Sequence, residues 1–117
     1  MKLIWENKLE ELMSLHKLYL VNTPNDYIEQ VIMIEHDGNL IGYFIYDLSE
    51  DRMRKFEIVE AMRGKSLGMQ AMILLCDELL IRGRTFITLK PMSDSLYYFY
   101  EKCGFSRIDD MMCMRLT

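Results

Sequence analysis

Ile58-Val59-Glu60-Ala61-Met62-Arg63-Gly64-Lys65-Ser66-Leu67-Gly68 is the stretch on which the fold turns. Apolar residues lead into small residues and cations, and Leu67, Ala71, Leu74, Leu75 and Leu79 then repeat at helical spacing. The pattern is a strand running through a tight turn into a helix. The first N–H groups of such a helix have no intrahelical acceptor. With the helix dipole they form an anion site, the dipole alone contributing about 0.3–2 kcal/mol. Gly64 and Gly68 carry no side chain to hold a phosphate off the backbone. Arg63 and Lys65 bring positive charge to the turn, although the chain as a whole is acidic, with net charge -4. The plain structural alternative is a strand–helix connection bearing two solvated cations.

Working outward, the helix is expected over residues 66 to 82, with Arg82 in its last turn and Gly83 as its stop. Upstream, Arg52 to Val59 read as a strand with Phe56 and Ile58 on one face and Glu57 and Val59 on the other. A hairpin precedes it. Val31 to Glu35 and Leu40 to Tyr46 are its arms, joined through His36-Asp37-Gly38-Asn39, where Asp-Gly supplies positive-φ turn positions. Both arms are apolar on both faces, so both are expected to be interior. Leu48 to Asp51 form a polar turn. Residues 2 to 6 read as a first strand. Asn7 can cap a helix carrying Leu9, Leu12, Met13, His16, Tyr19 and Leu20 on one face, broken at Asn22 to Asp26. Downstream, Thr85 to Leu89 form a strand ended by Pro91, and Ser93 or Ser95 can cap a helix running to Lys102. Gly104 ends that helix. Phe105 to Ile108 and Met111 to Leu116 close the chain as a hairpin across Asp109-Asp110. The order is β-α-β-β-β-α-β-α-β-β, an α/β (α+β) class with a mixed sheet flanked by helices.

Composition bounds the function. A chain of 117 residues, half hydrophobic and 27% charged, is globular and has room for one domain, taken as 1–117. With 14 Lys plus Arg against 18 Asp plus Glu and no basic stripe, nucleic acid is not an expected partner. Cys76, Cys103 and Cys113 show no ligand spacing, so they read as reduced small apolar residues, and no metal is expected. No signal peptide and no membrane-length apolar run is present, which gives a cytoplasmic expectation with no membrane association. Gly64-Lys65-Ser66 looks like the end of a P-loop, but that motif needs a glycine at position 59, which is Val59.

A second segment is Leu96-Tyr97-Tyr98-Phe99-Tyr100-Glu101-Lys102-Cys103-Gly104-Phe105. An aromatic helix packed on the sheet accounts for part of it. Tyr97, Phe99 and Tyr100 cannot all face one way, and a neutral tyrosine hydroxyl can act as a proton donor. With both segments in hand, the chain resembles the GCN5-related N-acetyltransferases. That family's signature, Q/R-x-x-G-x-G/A, is met by Arg63-Gly64-Lys65-Ser66-Leu67-Gly68, except that Ser66 stands for the middle glycine. Its later pattern, F-Y-x-x-x-G-F, is intact as Phe99-Tyr100-Glu101-Lys102-Cys103-Gly104-Phe105. The likeness covers residues 30 to 117 well and residues 1 to 29 loosely.

The resemblance implies a site. Acetyl-CoA would be the cofactor, its pyrophosphate on the backbone N–H groups of Arg63, Gly64, Lys65, Ser66, Leu67, Gly68 and Met69. Pantetheine would pair with Ile58 and Val59 and enter a splay between that strand and Thr85–Leu89. Tyr100 would donate a proton to the leaving thiolate, with oxyanion help from the N–H of Ile58 or Val59. Ser93 stands where many relatives have a pantetheine-holding asparagine. The family does not fix the base; Glu57 and Glu60 flank the acetyl position and are the candidates, each with an exposed strand-end carboxylate as its plain alternative. His36, in the hairpin turn, and His16 are expected to be structural. The acceptor would be an amine: a protein lysine or N-terminus, or a small cation such as a polyamine. The contrasting reading is a degenerate CoA-binding or protein-interaction module, motivated by Ser66, Ser93 and the short N-terminal region. The 11 methionines leave core or dimer interface open.

Overall fold

The computed structural model describes residues 1–5 and 29–117. The expected helix after Asn7, its break at Asn22 to Asp26, and His16 lie outside the described residues. The described elements are β1 (Lys2–Ile4), β2 (Glu29–His36), β3 (Asn39–Asp47), β4 (Arg52–Ile58), a 3-10 turn (Glu60–Met62), α1 (Leu67–Ile81), β5 (Phe86–Leu89), α2 (Ser95–Lys102), β6 (Ser106–Ile108) and β7 (Met111–Arg115). The strands form one sheet in the order β1-β2-β3-β4-β5-β7-β6. Every neighbouring pair is antiparallel except β4 and β5. The expected mixed, mostly antiparallel sheet with helices is therefore present.

The hairpin forms as its sequence dictates. Asp37 and Gly38 both take positive φ, 52° and 81°, the conformation that matches the twist of the flanking strands. Both arms are interior: Ile32, Met33, Ile34, Tyr43 and Phe44 are fully buried. Two bulges offset the register. Ile41 is the extra residue opposite Ile34 and Glu35, and Arg54 is the extra residue opposite Ile45 and Tyr46. At the β3–β4 turn, Asp47 is buried. It accepts bonds from the Ser49 hydroxyl (2.6 Å), the Ser49 N–H (2.9 Å), the Glu50 N–H (3.2 Å) and Arg54 (2.9 Å).

Helix α1 buries Leu67, Ala71, Met72, Leu75 and Leu79, while Leu74 is only half-buried. Its far end is fastened to the chain start. The Trp5 indole N–H donates to Glu78 at 2.8 Å, and Arg82 lies 3.8 Å from the Trp5 ring centroid. The first strand stops at Ile4, short of Glu6. Helix α2 corrects the capping expectation. Its cap position is Asp94, without a side-chain cap bond, and the Ser93 and Ser95 hydroxyls bond each other at 3.0 Å.

The parallel junction is brief. Only Arg52↔Thr88 and Met53↔Leu89 are paired. A turn residue reinforces it, since the Asp51 carbonyl accepts the Thr88 N–H at 2.9 Å. Beyond Met53, β4 continues to Ile58 with no described strand on that edge, because β5 ends at Leu89. Past this short pairing β4 and β5 part, and the opening lies between Arg54–Ile58 and helix α2.

Candidate active site

The exposed edge of β4 is set by hydrogen-bond alternation. In an antiparallel pair, successive residues direct their N–H and C=O groups to opposite sides. Val59 donates its N–H to the Ile41 carbonyl at 2.7 Å, and Gly42 lies opposite Ile58. Ile58 therefore turns its N–H and C=O away from β3, towards the open edge. This separates the two donors suggested for the oxyanion. The buried Val59 has its N–H committed within the sheet, whereas the N–H of Ile58 faces the opening. The Ile58 carbonyl is met there by Arg63, whose Nε donates to it at 2.7 Å.

A cleft of about 480 Å³ lies over this edge. Phe56 and Ile58 form its floor. The turn at Met62–Gly64 and the start of α1, from Ser66 to Met69, form one wall; Leu96, Phe99, Tyr100 and Lys102 of α2 form the other. The turn owes its shape to two positive-φ residues, Gly64 at 78° and Ser66 at 60°. Ser66 does so despite its side chain, at a cost of about 1–2 kcal/mol. The result is a run of unpaired donors. From Gly64 to Met69 no backbone N–H has an acceptor among the described residues; the next, Gln70, donates to Ser66 at 3.3 Å. Arg63, the first of the expected series, spends its N–H on Glu60 at 3.1 Å. An anionic group fits this cradle.

The side chains divide differently from the sequence reading. Lys65 is exposed and outside the cleft walls, as is Ser93. Lys102, not among the expected site residues, lines the cleft across from the turn, its Nζ 5.0 Å from the Tyr98 ring centroid. Its position three residues after Phe99, on the same face of a short helix, carries the signal that would have found it.

Tyr100 is buried at the junction of the cleft with an aromatic stack. Its ring meets Phe99 (5.1 Å) and Phe105 (5.7 Å) edge-on, and Phe99 continues to Phe56 and Phe44. Burial, with Cys103 adding to it, pushes the phenol up to about 12, so it is protonated at neutral pH. Tyr97 faces elsewhere, donating to the Asp110 carbonyl at 3.2 Å beneath Arg107.

The two candidate bases are not equivalent. Glu57 projects to the sheet face opposite Phe56 and Ile58. Its Oε2 accepts the Tyr43 hydroxyl at 3.0 Å, and Arg63 approaches Oε1 at 3.4 Å. Lys55 stands 3.9 Å from Oε2. Glu60 is exposed in the 3-10 turn, and its side chain has no bonded partner among the described residues. His36 is not in the turn as expected: it ends β2, paired with Asn39, and its Nε2 stands 3.5 Å from Asp37. Cys76, Cys103 and Cys113 are unpaired, and burial pushes the Cys76 thiol up to about 12. No described helix is long and apolar enough to cross a membrane.

A mostly antiparallel sheet opened beside one parallel junction, with unpaired donors at the start of the helix that follows β4, defines the acyl-CoA N-acyltransferase fold. The sequence matches the Acetyltransferase (GNAT) family over residues 2–105, and the chain belongs to that family. Among solved structures, it is similar to the ribosomal-protein-S18-alanine N-acetyltransferase from Escherichia coli. That match has 12% identity and a TM-score of 0.74, covering 99% of this chain and 94% of the other. Tetrahymena GCN5 matches at 10% identity and a TM-score of 0.66, over 79% and 71% of the two chains. A mutant AtaT toxin bound to the C-terminus of the antitoxin AtaR and to acetyl-CoA matches at 11% and 0.54, over 75% and 67%. No curated protein sequence matches significantly.

Proposed function

We propose that the protein transfers the acetyl group of acetyl-CoA to a primary amine. The observation that carries this reading is the unbroken row of acceptor-free N–H groups from Gly64 to Met69 above the open edge of β4. The row and the α1 dipole would hold the pyrophosphate, with Lys102 supplying charge from the opposite wall. Gly68 faces Phe56 and Phe99 and leaves the cleft unfilled. Bound there, acetyl-CoA supplies an activated thioester. Ile58 offers its N–H to the carbonyl oxygen as charge develops.

Tyr100 offers its hydroxyl to the leaving sulfur. A phenol at about 12 holds its proton more tightly than an ordinary thiol, near 8.5. It therefore acts first as a hydrogen-bond donor that offsets the developing negative charge. Glu57 is the better-placed base: it is fixed beside Ile58 on the face opposite the cleft, where an amine would approach. The acceptor would be a protein lysine or N-terminus, or a small cationic amine, and the site of action the cytoplasm.

Two measurements test the reading. Millimolar acetyl-CoA should raise the melting temperature, since a ligand that binds only the native state stabilises it. Thiol release should depend on an added amine, drawn from spermidine, lysine peptides and peptides with free N-termini. No thermal shift and no amine-dependent release would refute it.

One observation favours the second reading, a CoA-binding or interaction module without catalysis. Arg63 Nε already occupies the Ile58 carbonyl on the edge that pantetheine would use. CoA binding by calorimetry, without thiol release for any amine, would select that module.

A further inference from the structure

Tyr43 takes no part in the mechanism above, yet it is a buried polar residue beside the site. It lies on β3, fully buried, directly opposite Glu57 in the β3–β4 register. A phenylalanine would pack the same ring. The hydroxyl therefore calls for its own explanation, because burying it costs free energy unless it is bonded. Its partner is Glu57 Oε2, at 3.0 Å. Burial and the neighbouring Glu57 both push the Tyr43 phenol above its usual range, so it stays a donor.

A glutamate at the end of a strand normally samples several rotamers, and fixing one costs entropy. Here a rigid donor from inside the sheet fixes one carboxylate oxygen. Arg63 approaches the other oxygen at 3.4 Å, while its Nε bonds the Ile58 carbonyl at 2.7 Å. The carboxylate is thus held next to the residue that borders the cofactor cleft.

We propose that Tyr43 is a positioning residue: its buried hydroxyl holds the Glu57 carboxylate at the open edge of β4, poised to take a proton from the acceptor amine. This rests on the acetyltransferase reading. In the step, the amine nitrogen forms a bond to the acetyl carbon and the carbon–sulfur bond breaks. The nitrogen's proton passes to Glu57 and thence to solvent, and the sulfur, hydrogen-bonded by Tyr100, takes up a proton from solvent and leaves as the free thiol. Tyr43 keeps its own proton throughout.

The test is a double-mutant cycle of Tyr43→Phe and Glu57→Gln. The readout is thiol release from acetyl-CoA with whichever amine of the panel reacts fastest. Removing the base should lower kcat by about 10²-fold. Tyr43→Phe should lower kcat about tenfold and leave the KM for acetyl-CoA unchanged. The double variant should match Glu57→Gln alone within about twofold, because Tyr43 acts through Glu57. A merely structural tyrosine would move the melting temperature and leave kcat alone, which would overturn the proposal. So would multiplicative losses in the double variant, or full activity in Glu57→Gln. If the wild-type protein releases no thiol with any amine, the enzyme reading itself fails, and that result is distinct from the others.

Discussion

Replacing Gly42 with alanine should damage this protein out of proportion to one methyl group. Gly42 sits on β3 opposite Ile58, where the sheet turns its unpaired edge towards the cleft. An added Cβ would overlap the Glu57 carbonyl oxygen, well inside 3.0 Å, and would press on the Ile58 Cα at 3.1 Å. Both obstacles are backbone or lie against it, so no side chain can swing aside. Relief requires β3 and β4 to part by roughly an ångström, with an overpacking cost of about 1–3 kcal/mol. A chain of this length unfolds with an entropy near 0.25 kcal/mol/K, so Tm should fall by about 4–12 °C. The shift also carries the Ile58 N–H away from its working position, and displacements of that size can cost about 10²-fold in rate. Gly68→Ala is the control. Its added Cβ would meet the Phe56 and Phe99 rings at 3.6 Å, an ordinary contact, and it lies in a helix, where alanine is favoured. Differential scanning calorimetry of the two variants decides the matter. A Gly42→Ala protein as stable as Gly68→Ala would refute the close-approach argument.

Three further expectations follow from the same geometry. Tyr100→Phe should reduce kcat by about 10–100-fold while acetyl-CoA affinity, read by titration calorimetry, stays within about twofold; unchanged turnover would remove Tyr100 from the mechanism. Asp47→Asn should cost about 2 kcal/mol, since the buried amide would face Arg54 donor to donor. Ser49 chiefly, with Arg54 and the Ser49 and Glu50 N–H groups, holds the Asp47 carboxyl down to about 2 against an ordinary 3.8. Its contribution is therefore complete above about pH 4 and is lost as pH falls towards 2. Chemical denaturation across that window should show a shallower acid slope in Asp47→Asn than in wild type. Ser66→Gly should raise Tm by about 2–4 °C, because relief of a left-handed serine outweighs the extra entropy of glycine by about 0.5–1 kcal/mol; a lower Tm would contradict the strain at Ser66.

What the sequence discloses and what it hides follow from the range of the interactions. The hairpin at Asp37-Gly38, the stop of α1 at Gly83 and the turn at Gly64–Ser66 rest on local backbone preferences, so their residues announce them. The site role of Ile58 is implied instead by the family resemblance, which seats pantetheine along the strand that runs into this turn. What lay beyond reach depends on pairing. Which edge Ile58 faces is decided by the β3–β4 register, with its bulge at Arg54, and by the bond from Val59 to the Ile41 carbonyl. Tyr43 meets Glu57 only because two strands pair in one register and no other. Ser93 and Ser95 mislead because each is a good cap residue, and the two hydroxyls satisfy one another instead. The resemblance implies a pyrophosphate contact from the Arg63 N–H, with the side chain adding charge, whereas that N–H bonds Glu60 and the guanidinium is drawn to the Ile58 carbonyl and Glu57.

The parallel junction of β4 and β5 has a mechanical meaning. Strands β1 to β4 form one half-sheet and β5, β7 and β6 another; backbone pairing among the described residues joins them through only two residue pairs and the Asp51 carbonyl, with Arg84 tied to the Leu48 carbonyl and to Asp51, and Arg52 reaching Met111. Such a seam opens at a lower free energy than the strands on either side of it. Transient parting there would widen the same gap through which an amine must reach the thioester. A molecule lodged between α1 and α2 would bridge both halves and act as a splint. Amide exchange at Thr88 and Leu89 would then slow on loading, although neither residue borders the cleft.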